Sequence, residues 1–181
     1  MTRLVFVGLL LGAALLPGAT IPRPAGELTI ASPGGPIQLS KYKGKVVVLE
    51  IISTTCPACQ KSAAMMSKLN SELGEKGLQP LGMAINPDAN VQEFIKTYGV
   101  NFPVGTGKRD DAYSFLQLSV MSPFYFPQMV FIDRQGNVRA QYGGTDPFVS
   151  SESNVRTMIE KLLSEGAAAK PAAAKTKKKA S

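Results

Sequence analysis

The chain has 181 residues, 44% of them hydrophobic, and only two cysteines, so it can bury one domain's core without disulfide staples. Its net charge of +7 lies mostly outside the central part: residues 27–166 hold 13 Lys+Arg against 13 Asp+Glu, and the excess sits in Arg3, Arg23 and five lysines of the tail. A basic groove for phosphates has no support, and no nucleic-acid partner is expected.

The chain opens MTRLVFVGLLLGAALLPGAT. Arg3 followed by the unbroken apolar stretch Leu4 to Leu16 has the build of a secretory leader, shorter than the roughly 20 residues of a spanning helix. Pro17 spoils the cleavage pattern before Ala19, and the uncharged stretch runs on to Ile21. Residues 1–20 are therefore expected to be a cleaved signal or a retained membrane anchor. Either places the rest outside the cytoplasm, periplasmic or otherwise extracytoplasmic. Residues 21–26 read as a Pro-rich linker, 27–166 as one folded domain, and 167–181 as a disordered Ala/Lys-rich tail. A solvated tail is the expectation. Weak tethering to anionic lipid or cell-wall polymer is the alternative.

Within the domain, LTIASPGGPIQLS reads as two short strands around a Gly-Pro turn. KGKVVVLEII is a continuous β-branched run, as in a strand covered on both faces. From Pro57 to Glu75, Ala63, Met66, Leu69 and Leu73 recur at helical spacing. LQPLGMAI is a strand, NPDANVQEFIKTYG a helix closed by Gly99, VNFPV an extended piece, and DDAYSFLQL a short helix with acids at its positive end. PQMVFIDRQGNVRAQYGG gives a hairpin, and SSESNVRTMIEKLLSEG a last amphipathic helix. Strands alternating with helices, then a hairpin and a helix, imply an α/β sandwich around one mixed sheet.

The two cysteines, Cys56 and Cys59, stand three apart in ISTTCPACQ. The chain has no histidine, which excludes a His-containing zinc site, haem attachment through C-x-x-C-H and any Cys–His nucleophile–base pair. With no second cysteine pair, tetrahedral zinc lacks ligands, and a structural bridge across so small a loop stabilises least. Redox chemistry is left. Cys56 falls where the strand ends and the helix begins, facing unpaired backbone N–H groups and the positive dipole end. Such positions lower a thiol pKa and make it the nucleophile. Pro57 fits the first helical turn. Cys59, one turn on, can resolve a mixed disulfide.

The order KGKVVVLEIISTTCPAC, then YGVNFPV, then FPQMVFIDRQGNV, resembles the TlpA/ResA-like branch of the thioredoxin superfamily, exported thiol–disulfide oxidoreductases, over roughly residues 27 to 165. The resemblance implies a thioredoxin fold with an amino-terminal β extension and an insert between its βαβ and ββα halves. It implies that Pro127 follows a cis peptide bond beside the dithiol, where Phe126 and its backbone meet substrate. It also implies that Glu50, six residues before Cys56, is a buried acid beneath Cys59. Desolvation would raise its pKa toward the working pH, so that it could take the proton from Cys59. A structural alternative has Glu50 swinging to the sheet edge to pair with a lysine such as Lys45. Where the family has tryptophan before the first cysteine this chain has Thr55, and Phe124, Tyr125 and Phe126 are candidates for the missing apolar surface. Alternation along the chain keeps these three from all pointing inward.

The expected function is exchange between this dithiol and protein disulfides, in the reductase direction the resemblance favours, with apocytochrome c or another envelope thiol protein as client. A membrane electron donor would recharge the dithiol. No cofactor or resident metal is implied, and the chain is expected to act as a monomer. Two alternatives stay open. Met65 and Met66 beside the thiols suit Cu(I), which would make the chain a copper-delivering metallochaperone. The chain could instead be a thiol oxidant or peroxidase of the same superfamily. The peroxiredoxin pattern asks for a proline seven residues before the nucleophile, where Leu49 stands, although Ser53 meets its hydroxyl requirement.

Overall fold

The computed structural model describes residues 20–167. The leader expected over residues 1–20 and the tail expected from Ala167 lie outside the described residues, but for Thr20 and Ala167 themselves.

The β-branched run VVVLEII forms β4 (Val46–Ile52), and all seven of its residues are buried. It runs parallel to β5 (Leu78–Ala84) and antiparallel to β7 (Gln128–Ile132). β5 is followed outward by the parallel edge strand β6 (Val104–Thr106), and β7 by β8 (Asn137–Tyr142) and the short β1 (Arg23–Pro24). The sheet order is thus β1-β8-β7-β4-β5-β6. A strand in this central position must bury both faces, which explains why its sequence is apolar throughout rather than alternating.

Period-two alternation along β4 then sorts its side chains. Val46, Val48 and Ile52 join the core under α1 (Pro57–Leu73), α2 (Val91–Tyr98) and α4 (Glu152–Ala167). Val47, Leu49 and Ile51 join the core under α3 (Arg109–Leu116) and the hairpin of β2 (Thr29–Ile30) and β3 (Ile37–Gln38). Glu50 has the parity of Val48 and Ile52, so it is turned toward the α1 side. That parity excludes the escape to a sheet edge and a pairing with Lys45: β4 has no free edge, and the side chain stays 1% exposed.

The βαβ half (β4, α1, β5) and the ββα half (β7, β8, α4) are separated by α2, β6 and α3, the expected insert. The amino-terminal hairpin docks on that insert: Ala31 N donates to Thr106 O over 2.9 Å and Thr106 N to Ala31 O over 2.7 Å. A side chain at Gly105 would overlap the Ala31 carbonyl, so glycine is required for this close approach.

One expected boundary changes. Residues 21–26, read as linker, carry the edge strand β1, with Arg23 8% exposed and its guanidinium donating to Phe115 O at the end of α3 over 2.7 Å. Its partners lie far along the chain, which is why a window of prolines looked like linker; Pro24 is tolerated because an edge strand leaves one side unpaired. Among the described residues, no helix is long and apolar enough to cross a membrane.

Candidate redox site

At the end of β4 the chain turns through Ser53–Thr55 into α1. Cys56 is the residue that caps this helix, with extended backbone (φ −84, ψ 119), and Pro57 takes the first helical position. The turn is held from both sides. Cys56 N donates to Ser53 O over 3.2 Å, and Gln60 Nε2 to Thr54 O over 3.2 Å. Asn86, just past β5, clamps Thr54 by accepting from its backbone N–H over 3.0 Å and donating to its Oγ1 over 3.1 Å. Thr55 is exposed at the rim, and its hydroxyl shares a 3.0 Å hydrogen bond with that of Ser53.

Both cysteines are free thiols with unlike surroundings. Cys56 is half-buried, whereas Cys59, one turn later, has no exposed surface and packs into the core under α1. Burial pushes the Cys59 thiol well above the usual range; contact with the Cys56 thiol and the charge of Glu50 add to this, and a backbone hydrogen bond at Ser53 opposes it. One sulfur can be reached from outside. The other has no surface open to solvent.

The Glu50 carboxyl lies beneath α1, where Ser62 Oγ donates a hydrogen bond to its Oε1. Burial raises its pKa from 4.5 to about 7, against the lowering influence of the Ser62 hydroxyl. The charge of Glu50 is the least of the influences that raise the Cys59 thiol, whose main cause is burial.

Pro127 is buried and opens β7, and the Phe126–Pro127 peptide is cis, as the resemblance implies. With Ala58, Lys61, Ser62 and Met65 of α1, and with Gly144 and Glu152, it lines a groove of about 460 Å³. The loop before it is braced: Gln128 Nε2 donates to Tyr125 O over 2.7 Å and Gly144 N to Tyr125 O over 3.3 Å. A Cβ on Gly144 would overlap the Phe126 carbonyl, so this glycine lets two chain segments lie against each other. Phe124 and Phe126 are half-buried with ring centroids 5.1 Å apart, while Tyr125 is 51% exposed, the split that alternation requires. Val120 and Met121 in the same loop are 71% and 88% exposed. Of the two methionines beside the thiols, Met66 is a fully buried core side chain and Met65 lines the groove.

Sequence reasoning missed Ser62, Asn86 and Gly144. Ser62 follows Cys59 by three residues on the same helix face, and Asn86 opens the turn after β5, but neither signals its partner until the strands are assembled.

A protein-family model described as Redoxin matches residues 16–159, most of the chain. The chain belongs to the Redoxin family. It is 32% identical over 116 residues to the thiol-disulfide oxidoreductase ResA of Halalkalibacterium halodurans, a match covering 61% of each chain. The chain thus spans less than two thirds of the length of that relative. Among solved structures it resembles a thiol:disulfide interchange protein of the thioredoxin family from Chlorobium tepidum, with TM-score 0.67 and 23% identity over 80% of this chain and 98% of that one. It also resembles the thioredoxin domain of a thiol-disulfide oxidoreductase from Bacteroides vulgatus, with TM-score 0.63 and 19% identity over 83% and 99%. The fold is the thioredoxin fold, with the amino-terminal β extension and the insert described above.

Proposed function

We propose that this chain is an exported protein-disulfide oxidoreductase working as a reductase through Cys56 and Cys59. The observation that carries the reading is the asymmetry of the pair: a half-buried thiol capping the helix and a fully buried one a turn later, beside the groove of Pro127. The Cys56 thiolate attacks one sulfur of a client disulfide, forming a mixed disulfide and releasing the other client sulfur as thiolate. Cys59 gives its proton to Glu50 and attacks the Cys56 sulfur, which frees the second client thiolate. Two electrons have passed to the client, and a Cys56–Cys59 disulfide remains for a membrane electron donor to reduce. The similarity to a thiol-disulfide oxidoreductase supports dithiol exchange, the resemblance to the TlpA/ResA-like branch favours the reductase direction, and the leader-like first 20 residues support an extracytoplasmic place of work, cleaved or anchored. An envelope protein such as apocytochrome c is the client class this reading favours.

Client residues flanking the reacting cysteine would lie along Thr55, the Phe126 backbone and the groove of Pro127 beside them. The exposed Val120, Met121 and Tyr125 belong to an uncharged run from Ala112 to Ile132 that leads into this proline, which suits an unfolded polypeptide with apolar neighbours to its cysteine. The order of attack is tested by alkylating the two single-serine variants across pH. Cys56 should label faster at neutral pH, because it is reachable and sits at a helix start, while Cys59 is shielded. Faster labelling of Cys59 would reverse the assigned roles.

A further inference from the structure

Glu50 can accept the proton of Cys59 in repeated turnovers only if it can also lose it, and nothing on its own strand helps. It is 1% exposed, and its register neighbours are Gly82 on β5 and Met129 on β7, neither with a polar side chain. α4 meets this face of the sheet with Val155, Ile159 and Leu162. From α1, Cys59 and Cys56 are the titratable groups on the sulfur side, while Lys61 of α1 and Glu152 of α4 line the groove that Ser62 also lines; among the described residues, no lysine, arginine or second carboxylate shifts the Glu50 carboxyl. The one side-chain hydroxyl bonded to the carboxyl is that of Ser62. Ser62 is itself 5% exposed, and it lines the groove shared with Pro127.

We propose that Ser62 is a positioning residue that holds Glu50 toward Cys59 and carries its proton between the buried carboxyl and the groove. The inference rests on the dithiol reading above and adds the exit. The step balances without a further reagent. The acid O–H of Glu50 passes its proton to Ser62 Oγ as the serine's own hydroxyl proton leaves to water in the groove, restoring the carboxylate and the hydroxyl. A client lying in the groove covers this exit, so the proton taken from Cys59 is retained until the reduced client departs.

The test reads Glu50 directly, through the infrared carbonyl band of its protonated carboxyl as pH is raised. Ser62 donates to the charged form, so Ser62→Ala should move the midpoint upward from about 7, by about one pH unit if one hydrogen bond to a charged group is lost. The rising limb of the rate at which Cys59 resolves a mixed disulfide should move with it. Ser62→Thr, which keeps the hydroxyl, should restore both. A Ser62→Ala protein with the midpoint and the limb of the wild type would overturn the proposal. Should Ser62→Ala fail to fold, hydrogen–deuterium exchange of the same carboxyl decides the matter with Ser62 in place. Holding a peptide on Cys56 of the Cys59→Ser variant should slow exchange about tenfold or more, since it then waits for the covered groove to open; unchanged exchange would count against the route. The band titrates whether or not the protein reduces disulfides, so failure of the proton route and failure of the dithiol reading give different results.

Discussion

Replacing Cys56 by serine is expected to lower disulfide exchange by at least about a thousandfold, since an alcohol at this position has no thiolate form to attack with. The fold should survive, because Cys56 is half-buried and its side chain makes no capping hydrogen bond. Cys59→Ser should behave differently. Cys56 is still present and still reachable, so the first step proceeds and the mixed disulfide accumulates for want of the inner sulfur. The contrast is read by mass spectrometry after incubation with a disulfide-containing peptide. Peptide should be retained on the Cys59→Ser protein and absent from the Cys56→Ser protein, and the opposite pattern would exchange the two roles.

The second large effect concerns stability. Burial lifts the Glu50 carboxyl from 4.5 to about 7, so across that interval the folded protein keeps a proton the unfolded chain has released. Stability therefore falls as pH rises through the window and levels off above it, a loss of about 3 kcal/mol for a shift of this size. Glu50→Gln removes the titration and keeps an oxygen that can accept from Ser62. The variant should match the wild type at about pH 4 and exceed it by about 3 kcal/mol at about pH 8 in urea unfolding. A stability difference that does not change with pH would contradict the buried position. Assayed across about pH 5.5 to 8.5, the same variant should release reduced client more slowly above about pH 7, where wild-type Glu50 is the carboxylate that serves Cys59 as base, with the difference shrinking toward the acid end. A more stable and slower protein is what a buried acid kept for function predicts.

What could be read in advance was whatever local pattern controls. The run VVVLEII announces a central strand because burial on both faces leaves no alternation, and Cys-Pro after it announces a helix start. The depth of Glu50 follows from that strand, and its facing from parity. Partners set by tertiary assembly were not legible. Arg23 finds Phe115 and Gln141 across the fold, so the two-residue edge strand Arg23–Pro24 carries no local signal inside its Pro-rich window. Ser62 is one of several serines in the chain, and only the stacking of α1 on β4 brings its hydroxyl to Glu50. Gly144 becomes necessary only because the Phe126–Pro127 segment lies against it.

The most direct test is the equilibrium of the Cys56–Cys59 pair against a glutathione or thioredoxin couple of known potential, followed by mass or thiol labelling. A two-electron transition near or below about −270 mV, thioredoxin's own value, is expected of a reductase. Only small differences in thiolate stabilisation separate donors from oxidants, since about 30 mV corresponds to about 1.4 kcal/mol. A value above about −150 mV would place the pair among thiol oxidants, and failure of Cys56 and Cys59 to join under any poise would contradict dithiol exchange altogether.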